Sequence, residues 1–232
     1  MGEIAGLAVL YGAYEIVRGA GEDDVHAALA NTADIVALEQ RLDVFVERSI
    51  QSWAESVHLL PVLLGAAYML LHFAGTAVAL VWVHRRHRES FPMLRTTLIA
   101  STAFSLVGYV LFPAAPPRLA DLGFSDTVSA STGVNLSSDL LGAFYNPFAA
   151  VPSLHFGYAL IVGVAVAMLA SRRSVRIAGA LYPALMLVVI VATGNHFLFD
   201  AAAGGLVVVL GWITARSLVA APSRPSRRAT AS

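Results

Sequence analysis

Two histidines and an aspartate stand where ionisable side chains are rare. His155 heads the apolar stretch 156–170, and His196 heads a second one, 197–219, with Asp200 four residues on. An ionisable group in a membrane-length apolar stretch carries a large desolvation cost, so by default it marks function. Residues four apart on a helix share a face. Asp200 can therefore accept a hydrogen bond from one ring nitrogen of His196 and leave the other free for chemistry.

Phosphate-binding residue types surround this pair. Arg118 is the single arginine between Arg95 and Arg172. It follows Pro113, Pro116 and Pro117, which stiffen the chain because proline fixes its own backbone angle and restricts the residue before it. A guanidinium offers phosphate a rigid fork of donors; an isolated one would instead pair with lipid headgroups. Two histidines on the same side favour the phosphate reading. Pro152 suits the first turn of a helix. Ser153 and the backbone N–H of Leu154 at that helix start could hold an anion, although Ser153 alone would also serve as an ordinary cap. Asn195 either donates to a phosphate oxygen or closes a tight turn. His72, with Tyr68 four residues earlier on the same face, either reaches the pocket and a headgroup or makes a hydrogen bond between helices.

These residues must be positioned by membrane helices. Of 232 residues, 57% are hydrophobic and 13% charged, and mean hydropathy is +0.71. A soluble domain has about 25% charged residues, so the chain reads as one all-α, polytopic membrane domain over 1–221. Stretches of roughly 20 apolar residues predict six spans near 4–20, 57–83, 95–112, 152–171, 176–194 and 196–219. The first follows only Met1, Gly2 and Glu3, with no basic leader and no clear cleavage site, and reads as a retained helix. In 22–52, Leu29, Val36, Leu42 and Phe45 alternate with charged residues. This predicts an amphipathic helix, lying at the membrane surface or packed as a cap on the spans. The Pro-, Ser- and Arg-rich tail 222–232 reads as disordered.

All fifteen basic residues are arginine, and cysteine is absent. Lysine catalysis, thiolate catalysis and thiolate metal sites are therefore excluded. A formal net charge of zero argues against a nucleic-acid partner. Arginine clusters at 85–88, 172–176 and 216–228 fall on one side of the predicted spans. The positive-inside rule makes that side cytoplasmic and puts loop 113–151, His155 and His196 on the extracytoplasmic face of the plasma (inner) membrane. Trp53, Trp82 and Trp212 fall near predicted span ends, as in an aromatic belt.

The combination Pro152-Ser153-x-His155 followed by His196-x-x-x-Asp200 resembles the type 2 phosphatidic acid phosphatase superfamily. The segments PAAPPR, AVPSLHFG and TGNHFLFDAAAG are similar to its inositol phosphorylceramide synthase-like branch. The resemblance covers roughly 95–215. It implies that His196 is a nucleophile forming a phosphohistidine, that Asp200 orients it, that His155 protonates the leaving group and that Ser153 holds the phosphate. It also implies a metal-independent reaction with no cofactor, on a phospholipid or polyprenyl phosphate within membrane lipids. The sequence departs from the family pattern at Leu111 and Ile190, where a lysine and an arginine are usual, and at Leu154, where glycine is usual. Fewer pocket charges favour a phosphodiester and a phosphotransferase; Arg41 could replace one lost charge.

Other chemistries fit less well. A serine hydrolase of Ser153, His196 and Asp200 has no G-x-S-x-G elbow and leaves His155 and Arg118 idle. A zinc site of His155, His196 and Asp200 lacks the H-E-x-x-H spacing. A polyprenyl pyrophosphate phosphatase uses the same residues. A lipid-binding or transport protein would place its polar groups at broken helices near the bilayer midplane.

Overall fold

The computed structural model describes residues 25–133 and 146–219. The expected span at 4–20, the middle of loop 113–151 and the tail 222–232 lie outside the described residues. The described chain is all-α: α1 (Val25–Arg41), α2 (Glu47–Ser56), α3 (Leu60–Leu70), a π-helical turn (Leu71–Gly75), α4 (Thr76–Arg86), α5 (Phe91–Leu111), α6 (Thr127–Thr132), α7 (Leu154–Leu169), α8 (Arg173–Ala192) and α9 (Leu198–Val219). Four helical stretches are long and apolar enough to cross a membrane: Leu60–Arg86, Phe91–Leu111, Arg173–Ala192 and Leu198–Val219. Helix α7 is shorter and apolar. Large apolar side chains on their outer faces, Phe73, Val78, Leu181 and Leu206 among them, are exposed. In a bilayer they meet hydrocarbon, where only helices with internally satisfied backbones are stable.

Small residues set the packing. A Cβ on Gly163 of α7 would lie 2.6 Å from the Gly179 carbonyl of α8, and one on Gly211 of α9 would lie 3.0 Å from the Thr97 carbonyl of α5. Such close approaches replace the hydrophobic drive that is missing between helices in lipid. Ser101 of α5 also donates to the Val207 carbonyl of α9 at 3.3 Å. Helices α7 and α9 run alongside one another, so the arginine-rich turns 85–88 and 172–176 and Arg216 lie at the end opposite His155 and His196.

The expected amphipathic helix over 22–52 is two helices, α1 and α2, separated at Asp43, whose φ is +54°. Leu29 and Leu42 are exposed. The buried face of α1 is Ala28, Thr32, Ile35, Val36 and Glu39, spaced at three and four residues as one helix face requires. Through this face α1 packs on the start of loop 113–151. Asn31 Nδ2 donates to the Pro113 carbonyl, and Thr32 Oγ1 exchanges hydrogen bonds with Ala115. Loop 113–151 also has regular structure among its described residues. It contains a 3-10 turn at Pro117–Leu119 and helix α6, and a single bridge pairs Ala114 with Ala149 near its two ends.

Candidate active site

The strand-free turn between α8 and α9 presents His196. Thr193 Oγ1 donates back to the Val189 carbonyl at 2.7 Å, and Gly194 turns the chain with a φ of +68°. The N–H groups of Asn195 and His196 both return to the Ile190 carbonyl, at 3.0 and 3.2 Å. A helix commonly ends on a left-handed glycine because no Cβ opposes that conformation. Space also demands glycine here: a Cβ would fall 2.7 Å from Gln51 Nε2 and 2.9 Å from the Ser125 carbonyl. His196 then stands just before α9, 6% exposed, with its Nδ1 3.0 Å from Asp200 Oδ2. Asp200 is fully buried, and the same oxygen accepts the Phe197 N–H at 3.0 Å. The aspartate thus engages Nδ1 of the imidazole and leaves Nε2 as the ring nitrogen facing away from the carboxylate.

His155 approaches from α7. Its ring centre is 5.7 Å from that of His196, and the ring is sandwiched by Tyr68 at 4.3 Å and His72 at 4.1 Å. His72 in turn stacks on Tyr158 at 5.3 Å. His72 lies within the π-helical turn, a local widening often found at functional sites. That turn alters the carbonyl pattern, and Tyr182 donates to the Leu71 carbonyl at 2.7 Å. His72 Nδ1 is buried with no hydrogen-bond partner among the described residues.

The candidate phosphate ligands converge on the same two histidines. Ser153 is fully buried and caps α7, its Oγ 3.4 Å from Phe156 N, with Leu154 opening the helix. The Ser153 N–H donates to the Asp200 carbonyl at 2.9 Å. Gly204 permits this junction, since a Cβ there would fall 2.5 Å from the Ser153 carbonyl. Arg118 is the one buried arginine among the described residues. Its backbone N–H donates to the Gly194 carbonyl, and its Nε donates to Asn195 Oδ1, both at 2.9 Å. Asn195 Nδ2 meanwhile donates to the Thr193 carbonyl and hydroxyl. Its side chain is therefore engaged within the protein, where it orients the guanidinium beside His196.

Leu111 is exposed and Ile190 is fully buried in the apolar core, so neither position carries a charge to the site; Arg41 is exposed to solvent. No group of three or more His, Asp or Glu side chains converges as metal ligands among the described residues. Sequence reasoning missed two residues. Glu39 and Glu47 are buried, and they accept the Phe199 N–H at 2.7 Å and the Leu198 N–H at 2.9 Å, the first two residues of α9. Burial, then hydrogen bonding with Glu47, pushes the Glu39 carboxyl up to about 8. The clue was available: Glu39 follows Ile35 by four residues and Val36 by three, on the apolar face of α1.

The arrangement brings together a histidine hydrogen-bonded to a buried carboxylate, a second histidine ring 5.7 Å away, a buried arginine and a helix start. Comparison with known proteins agrees with it. The family model of the PAP2 superfamily matches residues 33–214. No curated protein and no solved structure matches the chain. The matched segment spans both histidines, the aspartate, the arginine and the two buried glutamates, and the chain belongs to the PAP2 superfamily, a family of phosphatase-type membrane enzymes acting on lipid-type substrates.

Proposed function

We propose that the chain is a lipid phosphotransferase or phosphatase that works through a phosphohistidine on His196, at the extracytoplasmic face of the plasma (inner) membrane. The observation that carries this reading is the 3.0 Å contact between His196 Nδ1 and Asp200 Oδ2. It engages Nδ1 and leaves Nε2 for chemistry, with the His155 ring centre 5.7 Å from that of His196. In the first step, Nε2 attacks phosphorus and the bond to the lipid oxygen breaks. The departing alkoxide takes a proton from His155. Asp200 stabilises the imidazolium character that develops on His196. In the second step, His155 removes a proton from water or an alcohol, whose oxygen attacks the phosphohistidine and releases His196. Arg118, Ser153 and the Leu154 N–H hold the phosphoryl oxygens as charge builds on them. His72 and Tyr68 flank His155 and keep its ring edge-on to the leaving group.

The charge balance favours a phosphodiester substrate. Arg118 is the one buried arginine among the described residues, while Glu39, Glu47 and Asp200 are all buried nearby. A phosphodiester brings less negative charge than a phosphomonoester or a pyrophosphate, and so needs fewer cations. The chemistry uses no metal: proton transfer and charge neutralisation are both supplied by side chains.

Rapid quench of a labelled phospholipid reaction tests the covalent step, with acid-labile phosphate on the protein as the expected result and its absence in wild type as the contrary one. Products formed with and without alcohol acceptors separate transfer from hydrolysis. EDTA is expected to leave the rate unchanged. Single cysteines at Leu122 and Glu89, both exposed, test the face: an impermeant thiol reagent should label the first and spare the second in intact cells.

A further inference from the structure

The first turn of α9 is held by more carboxylates than phosphoryl transfer requires. Three successive N–H groups each donate to a different carboxyl group: Phe197 to Asp200, Leu198 to Glu47 and Phe199 to Glu39. Glu39 is 2% exposed and Glu47 is fully buried. The second oxygen of each, Oε2, is buried with no N–H or O–H donor to meet it among the described residues. Yet the two side chains lie close enough to hydrogen bond with each other. Two ionised carboxylates cannot do that. They repel, and burial amplifies the repulsion. One proton between them removes a charge and gives the unmet oxygens a partner. The charged groups facing the pair are Asp200 on α9 and, behind it, His196; Arg41 and Asp43, which follow Glu39 in the chain, are exposed.

We propose that Glu39 and Glu47 share one proton and together clamp the first turn of α9, as positioning residues for His196. The catalytic consequence rests on the reading of His196 as nucleophile; the clamp itself rests on the hydrogen bonds. Neither glutamate touches the reacting atoms. Each reaches the nucleophile through the backbone of Leu198 or Phe199, two of the three residues that separate His196 from Asp200. Loss of the proton leaves two adjacent buried charges and pushes α1 and α2 apart, which loosens the turn that carries His196. With Glu39 raised to about 8, that loss falls on the alkaline side of neutrality.

The test uses the full chain in lipid vesicles or detergent. kcat and KM are measured from about pH 6 to about pH 9.5 for wild type, Glu39→Gln, Glu47→Gln and Glu39→Ala. Backbone amide exchange of the 196–200 segment is measured alongside, without substrate. Wild-type kcat should fall with a midpoint near 8 while KM stays constant. Either glutamine keeps an acceptor for α9 and a donor for its partner. Both glutamine variants should therefore keep neutral-pH kcat within about threefold and lose the alkaline fall. Glu39→Ala should lower kcat about tenfold or more at neutral pH, as a misplaced catalytic group does. Above pH 8, exchange should be faster in wild type than in Glu39→Gln at the same pH, and equal below it. An alkaline fall that persists in both glutamine variants, or a wild-type kcat in Glu39→Ala, would overturn the proposal. Equal exchange in wild type and Glu39→Gln on both sides of pH 8 rejects the clamp even where phosphohistidine forms. Absence of acid-labile phosphate rejects His196 as nucleophile and leaves the exchange comparison intact.

Discussion

Helices α7 and α9 begin side by side, joined by the Ser153 N–H to the Asp200 carbonyl, and their first turns are treated in opposite ways. Each helix start carries about half a positive charge from its unpaired N–H groups. At α9, Asp200, Glu47 and Glu39 accept three consecutive N–H groups. At α7 the side-chain cap is the neutral Ser153 hydroxyl, at a loose 3.4 Å. One helix start is closed by the protein's own anions and the other is left to attract one from outside. In the mechanism proposed above, the difference separates two jobs: α9 holds the nucleophile in place, and α7 with Arg118 receives the phosphoryl group.

The largest effects should come from the closed side. His196→Ala is expected to abolish turnover of every substrate and to trap no phosphoenzyme in rapid quench. Asp200→Asn keeps the shape but no longer enforces the tautomer, and should lower kcat by about 10⁴, the scale seen when a catalytic histidine loses its carboxylate. Phosphoenzyme forming at wild-type rate in Asp200→Asn would show that the aspartate serves α9 only as a cap.

Breaking the junction should cost less, about 10² in kcat, the usual result of misplacing a reacting group by about 1 Å. Gly204→Ala forces a Cβ to within 2.5 Å of the Ser153 carbonyl, whereas Gly205→Ala meets only Phe156 Cε1 at 3.7 Å. The first should be crippled and the second near wild type. Equal rates in the two would mean that the two helix starts need no fixed spacing. A direct exchange of character is also informative. Ser153→Asp keeps a good helix cap but closes α7 with an anion. KM and the vanadate inhibition constant should both rise, by roughly 10² for a lost charge-assisted contact. Unchanged vanadate binding would move the phosphate away from α7.

What could be read from the sequence follows the same division. The open side was largely legible: Ser153, His155 and Arg118 are local signals, each interpretable from its neighbours in the chain, whereas Pro152, expected in the first helical turn, lies before the cap Ser153. The pairing of His196 with Asp200 was legible because four residues is one helical turn. The closing of α9 by Glu39 and Glu47 was not, because those contacts join residues 160 and 151 positions apart and no periodicity encodes them. The amphipathic pattern announced a helix in 22–52 and included Val36, which is buried, and Phe45, which packs on the core, but also Leu29 and Leu42, which are exposed. The buried face of α1 is small and polar as well as apolar, and Asn31 and Thr32 bond to loop carbonyls. Asn195 shows the same limit. Its position beside His196 suggested either a phosphate donor or a turn closure; it does bond back across the turn to Thr193, but only the folded loop brings Arg118 to its Oδ1.

The smallest effect is on stability, and its pH dependence separates the two helix starts. The Glu39 carboxyl is raised from 4.5 to about 8 by burial and by Glu47. Below about 4.5 it is protonated in both folded and unfolded chains, and it contributes no slope. Between 4.5 and 8 the unfolded chain has released a proton that the folded chain keeps, so stability falls as pH rises. Above about 8 both forms are ionised and the slope ends. Glu39→Gln removes this titration, so its Tm relative to wild type should climb from about pH 5 to about pH 8 and then level off. Ser153 does not titrate. Ser153→Ala should lower stability by about 1 kcal/mol, the ordinary cost of a lost cap, by the same amount at every pH. Thermal unfolding of the purified chain across that range measures both. A Tm difference for Glu39→Gln as flat as that for Ser153→Ala would show that the start of α9, like that of α7, is capped without a proton at stake.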